Sequence, residues 1–178
     1  MAHPVTTGSF TVDDLDWLRD EMHIAAHLEL DPWGNLIVSP ASDEHEMAWN
    51  GLHQQASRQL ADRGYTVLGN GFAWCPTGGS RYVNLPDLTI LAPGWRRVDD
   101  VDLDPPPLLV VEVASPSTRT VDRTRKLADY RLGGARLYLL VDLPSTFERH
   151  DFSTGEVVTA EGAIALVVGD QPVRFELP

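Results

Sequence analysis

The chain has a single cysteine, Cys75, in 178 residues, so neither an intrachain disulfide nor a cysteine-rich zinc site can form. Cys75 also has no basic or histidine neighbour in sequence, which reads as a structural or surface thiol and not a nucleophile. No run approaches the roughly 18 apolar residues of a membrane helix, and Met1-Ala2-His3-Pro4-Val5 lacks a basic stretch followed by an apolar one. The expectation is a cytoplasmic protein without membrane attachment. Basic residues are scarce: 14 Lys and Arg against 26 Asp and Glu leave a formal net charge of −12. That argues against a generic nucleic-acid binder, and a DNA substrate would need a local basic patch. Internal repeats and low-complexity tracts are also lacking, and the length suits one domain, residues 1–178, with a single core.

What is present reads as alternating elements. Residues 9–22 open with a capping signal and place Leu15, Leu18 and Met22 on one face of a short helix. His27–Leu30 and Asn35–Ser39, joined by Asp31-Pro32-Trp33-Gly34, form a hairpin in which Glu29 faces away from Leu28 and Leu30. Unaided, Glu29 reads equally well as a solvated hairpin carboxylate. A long helix over 43–63 should bury Met47, Leu52, Leu60 and Ala61 and stop at Gly64, with His45 in its first turn, where a surface or capping role is commoner than chemistry. Strands are expected at Tyr65–Leu68, Gly71–Trp74 and Arg81–Val83, the last after the turn Pro76–Ser80, then an exposed polar loop over 93–104. The end of the chain reads as a β meander: Phe147–Asp151, Glu156–Thr159, Ile164–Val168 and Val173–Phe175. The fold class is α+β, a mixed β-sheet flanked by helices.

The chemistry gathers between residues 86 and 142. Asp87 follows a proline at the start of an apolar strand, and Leu108–Ala114 is a near-continuous apolar strand with Glu112 inside it. A strand buried on both faces carries an ionised Glu only when that group is paired or holds a metal. The helix that follows, Asp122–Tyr130, puts Asp122 and Lys126 on one face, and Ala135–Asp142 is a further buried strand. Two acids and a lysine converging on one point suit a hard divalent cation, Mg2+ or Mn2+, and a phosphodiester. Asp87, Glu112 and the Val113 carbonyl would be ligands, and Lys126 would orient the nucleophile or offset charge on the phosphate. The alternative is structural: Asp87 caps a turn, Glu112 pairs with a buried Arg, and Lys126 makes an exposed pair with Asp122.

Pro86-Asp87, Glu112-Val113-Ala114-Ser115-Pro116-Ser117-Thr118, the Asp122–Tyr130 helix and the Leu137–Asp142 strand together resemble the Uma-type restriction endonuclease family (DUF820), within the PD-(D/E)XK nuclease superfamily. Glu29-Leu30, Gly34–Pro40 and His45 extend the likeness to the amino-terminal part, so that it covers residues 10–152, with the β meander after it. The resemblance implies a restriction-endonuclease-like core and a divalent-metal-dependent endonuclease that hydrolyses DNA, working as a homodimer. It also implies roles. Asp87 and Glu112 match the metal acids, Lys126 the catalytic lysine, Glu29 an early acid that joins the metal cluster, and His45 a polar residue near it. The position two after Glu112, where the superfamily usually places its lysine, is Ala114; the resemblance to the family implies that the lysine is instead on the next helix, at Lys126. Asp122 and Tyr130 also match, although a helix-face ion pair and a core tyrosine explain them as well. Arg119, Arg123 and Arg125 flank Lys126 where cations positioning phosphate would be useful. Two other readings stay open: a nuclease fold that binds without turnover, which the net charge favours, and hydrolysis of a small phosphate ester or nucleotide.

Overall fold

A computed structural model describes residues 9–11, 13–15, 17–18, 26–31, 33–40, 42–69, 72–75, 83–98, 103–115 and 118–177. Helical backbone at 13–15 and 17–18 belongs to the expected first helix. Met22, Gly71, the turn at 76–80 and the strand residues Arg81 and Tyr82 lie outside the described residues.

Among the described residues, twelve strands and a few helices follow in order. Strands β1 (Ala26–Leu30) and β2 (Leu36–Pro40) form an antiparallel hairpin. Helix α1 (Asp43–Leu60) leads to β3 (Thr66–Gly69) and β4 (Leu88–Leu91). The small strands β5 (Arg96–Arg97) and β6 (Leu103–Asp104) precede β7 (Leu109–Ala114). Three helical pieces then run without a break, α2 (Arg119–Val121), π1 (Asp122–Lys126) and α3 (Leu127–Leu132), before β8 (Leu137–Asp142). The chain ends in β9 (Thr146–Asp151), β10 (Val157–Glu161), β11 (Ala163–Val168) and β12 (Gln171–Glu176).

The centre is a six-stranded mixed sheet in the order β10-β9-β8-β7-β4-β3, with β7 and β8 parallel and every other pairing antiparallel. The parallel pair is where the sequence is most apolar, because both faces of those strands are covered. Alternation assigns the faces. Leu109, Val111 and Val113 of β7, with Leu137, Leu139 and Val141 of β8, pack with α1 and the β11–β12 hairpin in the main core. Val110 and Ala114, with Tyr138 and Leu140, turn to the other face and pack with Tyr130 and Trp74. A third cluster, Leu15, Leu28, Leu30, Cys75, Val83 and Leu85, seats the β1–β2 hairpin on the amino-terminal helical turns.

Several expectations change in detail. Along α1 the buried row is Ala48, Leu52, Ala56 and Leu60, spaced by four, whereas Met47 is 69 % exposed and Ala61 lies beyond the helix in solvent. One residue step turns a helical side chain by about 100°, which carries Met47 off the buried stripe. The polar loop at 93–104 contains the β5–β6 ladder, closed by an Arg96–Asp104 ion pair of 2.6 Å. The four carboxy-terminal strands divide: β9 and β10 extend the main sheet, while β11 and β12 form a separate hairpin. That hairpin is tied to α1 by Gln55 and Gln59, whose amides donate to the Glu176 and Arg174 carbonyls at 2.9 and 2.7 Å.

Leu139 is fully buried in a central strand of the main core. Leu139→Ala is expected to cost about 3 kcal/mol in urea unfolding; a loss below about 1 kcal/mol would mean that the core collapses around the gap.

Candidate active site

Register brings the acids together. The β4–β7 ladder pairs Leu88 with Val111, and one step further along it Asp87 falls opposite Glu112. Glu112 lies on the Val110 and Ala114 side of β7, facing the helical segment that follows. The Asp87 carboxylate is fixed at Oδ2, which accepts from the Val113 amide at 2.7 Å and contacts His45 Nε2 at 3.2 Å. His45 reaches it from the first turn of α1, whose start is capped by the Ser42 hydroxyl accepting from the His45 amide at 3.2 Å.

Glu29 arrives from the hairpin. The β1–β2 turn is locked by Asp31 Oδ1, which accepts from the Trp33 and Asn35 amides at 2.9 and 2.8 Å. A bridge between Leu30 and Val83 ties β1 to the segment before Asp87, and the Leu85 amide donates to Glu29 Oε1 at 2.7 Å. Glu29 is therefore not a solvated hairpin acid.

Lys126 closes the cluster from π1. Its Nζ stands 3.0 Å from Glu29 Oε1, 3.1 Å from Glu112 Oε1 and 3.6 Å from Asp122 Oδ1. A π turn closes i→i+5 hydrogen bonds, wider than an α turn, and both ends of this one, Asp122 and Lys126, are buried. None of Glu29, Asp87, Glu112, Asp122 and Lys126 is more than 5 % exposed. The exposed Asp122–Lys126 pair of the structural alternative is thus a buried one. Tyr130, stacked on Trp74 with ring centroids 5.5 Å apart, donates its hydroxyl to the same Glu112 oxygen that Lys126 contacts. Tyr138 donates to the Asp122 carbonyl at 3.1 Å.

Burial and neighbouring charges together set the protonation. Burial pushes the Glu112 carboxyl well above the usual range, against the pull of Lys126. Asp122 is raised by burial too, with Lys126 and the Thr118 hydroxyl opposing. Burial would push Lys126 down, but Glu112, Glu29, Asp122 and Asp87 outweigh it and hold the ammonium well above the ordinary lysine value. His45 is raised because its contact with Asp87 outweighs burial. Tyr130 is held well above the ordinary phenol value by burial and by Glu112, so it remains a donor.

Glu29, His45, Asp87, Glu112, Asp122 and Lys126, with Leu85, Val113 and Thr118, line a cleft of about 30 Å³, room for a water or a small ion. Asp122 Oδ1 is buried without a hydrogen-bond partner. Among the described residues, no three or more His, Cys, Asp and Glu side chains are arranged to hold a metal by themselves. Two carboxylates and a carbonyl suit Mg2+, which keeps several waters, so the oxygen donors of Asp87, Glu112 and Val113 fit such an ion. Arg119, Arg123 and Arg125 do not line the cleft. Arg119 pairs with Asp142 at 2.6 Å, Arg123 with Asp142 and Glu148 at 3.1 and 2.6 Å, and Arg125 with Asn84 and Asp129 at 3.1 and 3.4 Å. The tyrosine hydroxyl on Glu112 and the buried state of Asp122 were not distinguished in the sequence from ordinary core roles. One signal was available: Lys126 is the only lysine in the chain.

A carboxyl raised on folding binds more protons in the native than in the unfolded state, so its contribution to stability falls as pH rises above the ordinary glutamate value of about 4.3. Glu112→Gln removes that ionisation. The variant is expected to gain stability relative to the parent between pH 5 and pH 8 in paired urea titrations, and a pH-independent difference would contradict the raised Glu112 carboxyl.

The chain matches the family model described as "Uma2: Putative restriction endonuclease" over residues 15–159. Among solved structures it is similar to "a putative nuclease belonging to DUF820" from Anabaena variabilis, with a TM-score of 0.62 and 13 % identity over 85 % of this chain and 84 % of that one. At that identity the likeness speaks for the fold. No curated protein matches. With residues 15–159 of 178 matched, the chain belongs to the family described as "Uma2: Putative restriction endonuclease" and has a nuclease-like fold.

Proposed function

We propose that this protein is a divalent-metal-dependent endonuclease that hydrolyses phosphodiester bonds in DNA. The observation that carries the reading is the convergence of Asp87, Glu112 and Lys126 on one small cleft, with more buried carboxylates than buried cations. Mg2+ or Mn2+ would be held by Asp87, Glu112 and the Val113 carbonyl. When bound, such an ion polarises the scissile phosphate and acidifies a water.

The chain's own groups do the rest. The Val113 amide and His45 hold one oxygen of Asp87, which leaves the other to turn into the cleft. Tyr130 and Lys126 fix Glu112 in the same way through Oε1. The Lys126 ammonium, kept charged by its acidic neighbours, donates to the phosphate oxygen on which charge grows or to the attacking water. Burial excludes bulk water and strengthens these contacts. Arg119 and Arg123, at 46 % and 34 % side-chain exposure, are the cations best placed to exchange Asp142 and Glu148 for backbone phosphates. Pairing of two copies would bring two such clefts to the two strands of a duplex.

A second reading is hydrolysis of a small phosphate ester or nucleotide. It is favoured by the engagement of Arg119, Arg123 and Arg125 with the protein's own groups, which leaves little free positive charge for a DNA backbone at a net charge of −12.

The test is nicking of supercoiled plasmid with Mg2+ or Mn2+, beside a nucleotide and phosphate-ester panel. Asp87→Ala, Glu112→Ala and Lys126→Ala should each cut the nicking rate by about 100-fold or more. Retained nicking in all three would remove the site. Turnover of small esters with none of plasmid would replace the first reading by the second.

A further inference from the structure

The central sheet ends differently at its two edges. At one, β3 is four residues long, stops at Gly69, and has its Thr66 hydroxyl accepting from the Trp95 indole at 2.8 Å, so that edge is short and partly covered. At the other, β10 pairs with β9 alone. The Asp151 amide donates to the Glu156 carbonyl at 2.9 Å, and the Gly162 amide to the Ser145 carbonyl at 2.7 Å. Antiparallel pairs alternate along a ladder, so the backbone groups of Val158 and Ala160 also face β9, while the N–H and C=O of Val157, Thr159 and Glu161 point away from the sheet. Among the described residues no hydrogen bond reaches those outward groups.

An open edge is a template for another strand, and proteins blunt theirs with lysine, proline, a bulge or brevity. β10, Val157-Val158-Thr159-Ala160-Glu161, has no lysine or proline, and Val157 is 55 % exposed. The acids that bracket it are already engaged: Glu156 Oε2 accepts from Arg149, and the Glu161 carboxylate accepts from the Ser145 and Thr146 hydroxyls at 2.7 and 2.9 Å. We propose that β10 is a self-pairing edge, through which two copies of this chain join antiparallel about a twofold axis at Thr159 into one continuous sheet. Charge selects that register. Thr159 meets Thr159 of the partner subunit and Val157 meets Glu161 of the partner subunit, so no acid opposes an acid, whereas a twofold at Glu161 would set like charges face to face. Each outward residue then exchanges both of its backbone bonds. The proposal stands whether or not the cleft is catalytic.

Sedimentation velocity on the full chain over a concentration series tests it. The parent should be a dimer at about 100 μM. Thr159→Pro removes an amide that bonds nothing within the chain, at an edge position where proline is tolerated. It should keep the parent's circular dichroism and lose dimer affinity by about tenfold or more. Val157→Glu, which sets a second acid against Glu161 of the partner subunit, should weaken the dimer, and Val157→Lys should not. Thr159→Cys should give a disulfide-linked dimer on oxidation, because hydrogen-bonded pairs stand about 5.5 Å apart at Cα, within disulfide reach, and Cys75 is buried. A monomeric parent at that concentration would overturn the proposal. So would a dimer that a folded Thr159→Pro leaves intact, one that Val157→Glu and Val157→Lys weaken alike, or a dimeric Thr159→Cys that does not cross-link. If Thr159→Pro does not fold, the two Val157 variants and Thr159→Cys decide.

Discussion

One buried ammonium among four buried carboxylates is the constraint on which the arrangement of this protein turns. Charges removed from water are tolerated only when paired and hydrogen-bonded, and stripping one partner from a buried pair costs about 3–5 kcal/mol. Each acid here has its own support: the Leu85 amide for Glu29, the Val113 amide for Asp87, Tyr130 for Glu112 and the Thr118 hydroxyl for Asp122. Those supports come from different elements, so the cluster forms only when the hairpin, the sheet and the helical segment are all in place. An ordinary core needs no such agreement, because apolar packing tolerates exchange of one residue for another of similar volume.

The fold was largely legible because its decisive strands carry strong signals. Leu108–Ala114 and Leu137–Asp142 are apolar apart from Glu112, Tyr138 and Asp142, the pattern of strands covered on both faces. Period-two alternation then fixes which side Glu112 occupies. Met47 was harder, since a stripe of alanines and leucines at spacing four leaves its neighbour looking equally suited to burial. The division of the last four strands depends on long-range pairing, which local alternation does not encode.

At the site, Asp87, Glu112 and Lys126 were readable from residue type and order, whereas their surroundings were not. Glu29 sits between two leucines in a hairpin, and only the tertiary bridge from Leu30 to Val83 turns a surface pattern into a buried one. Tyr130 looked like a core aromatic, and it is one; its hydroxyl acquires a partner because Trp74 stacks on the ring and orients it. The π winding of Asp122–Lys126 has no pattern in the sequence, since apolar spacing alone does not set the width of a turn. The arginines beside the lysine show the opposite limit. Their clustering suggested free positive charge, but acids from β8, β9 and α3 meet them.

Because Lys126 is the only lysine, protein grown with lysine labelled at Cε with 13C gives one side-chain resonance, a reporter placed inside the cleft. Adding one equivalent of Mn2+ tests whether an ion binds at Asp87 and Glu112. The account predicts that paramagnetic broadening removes the Lys126 signal in the parent and that Asp87→Asn restores it. A signal that stays sharp at saturating Mn2+ in the parent would contradict the account.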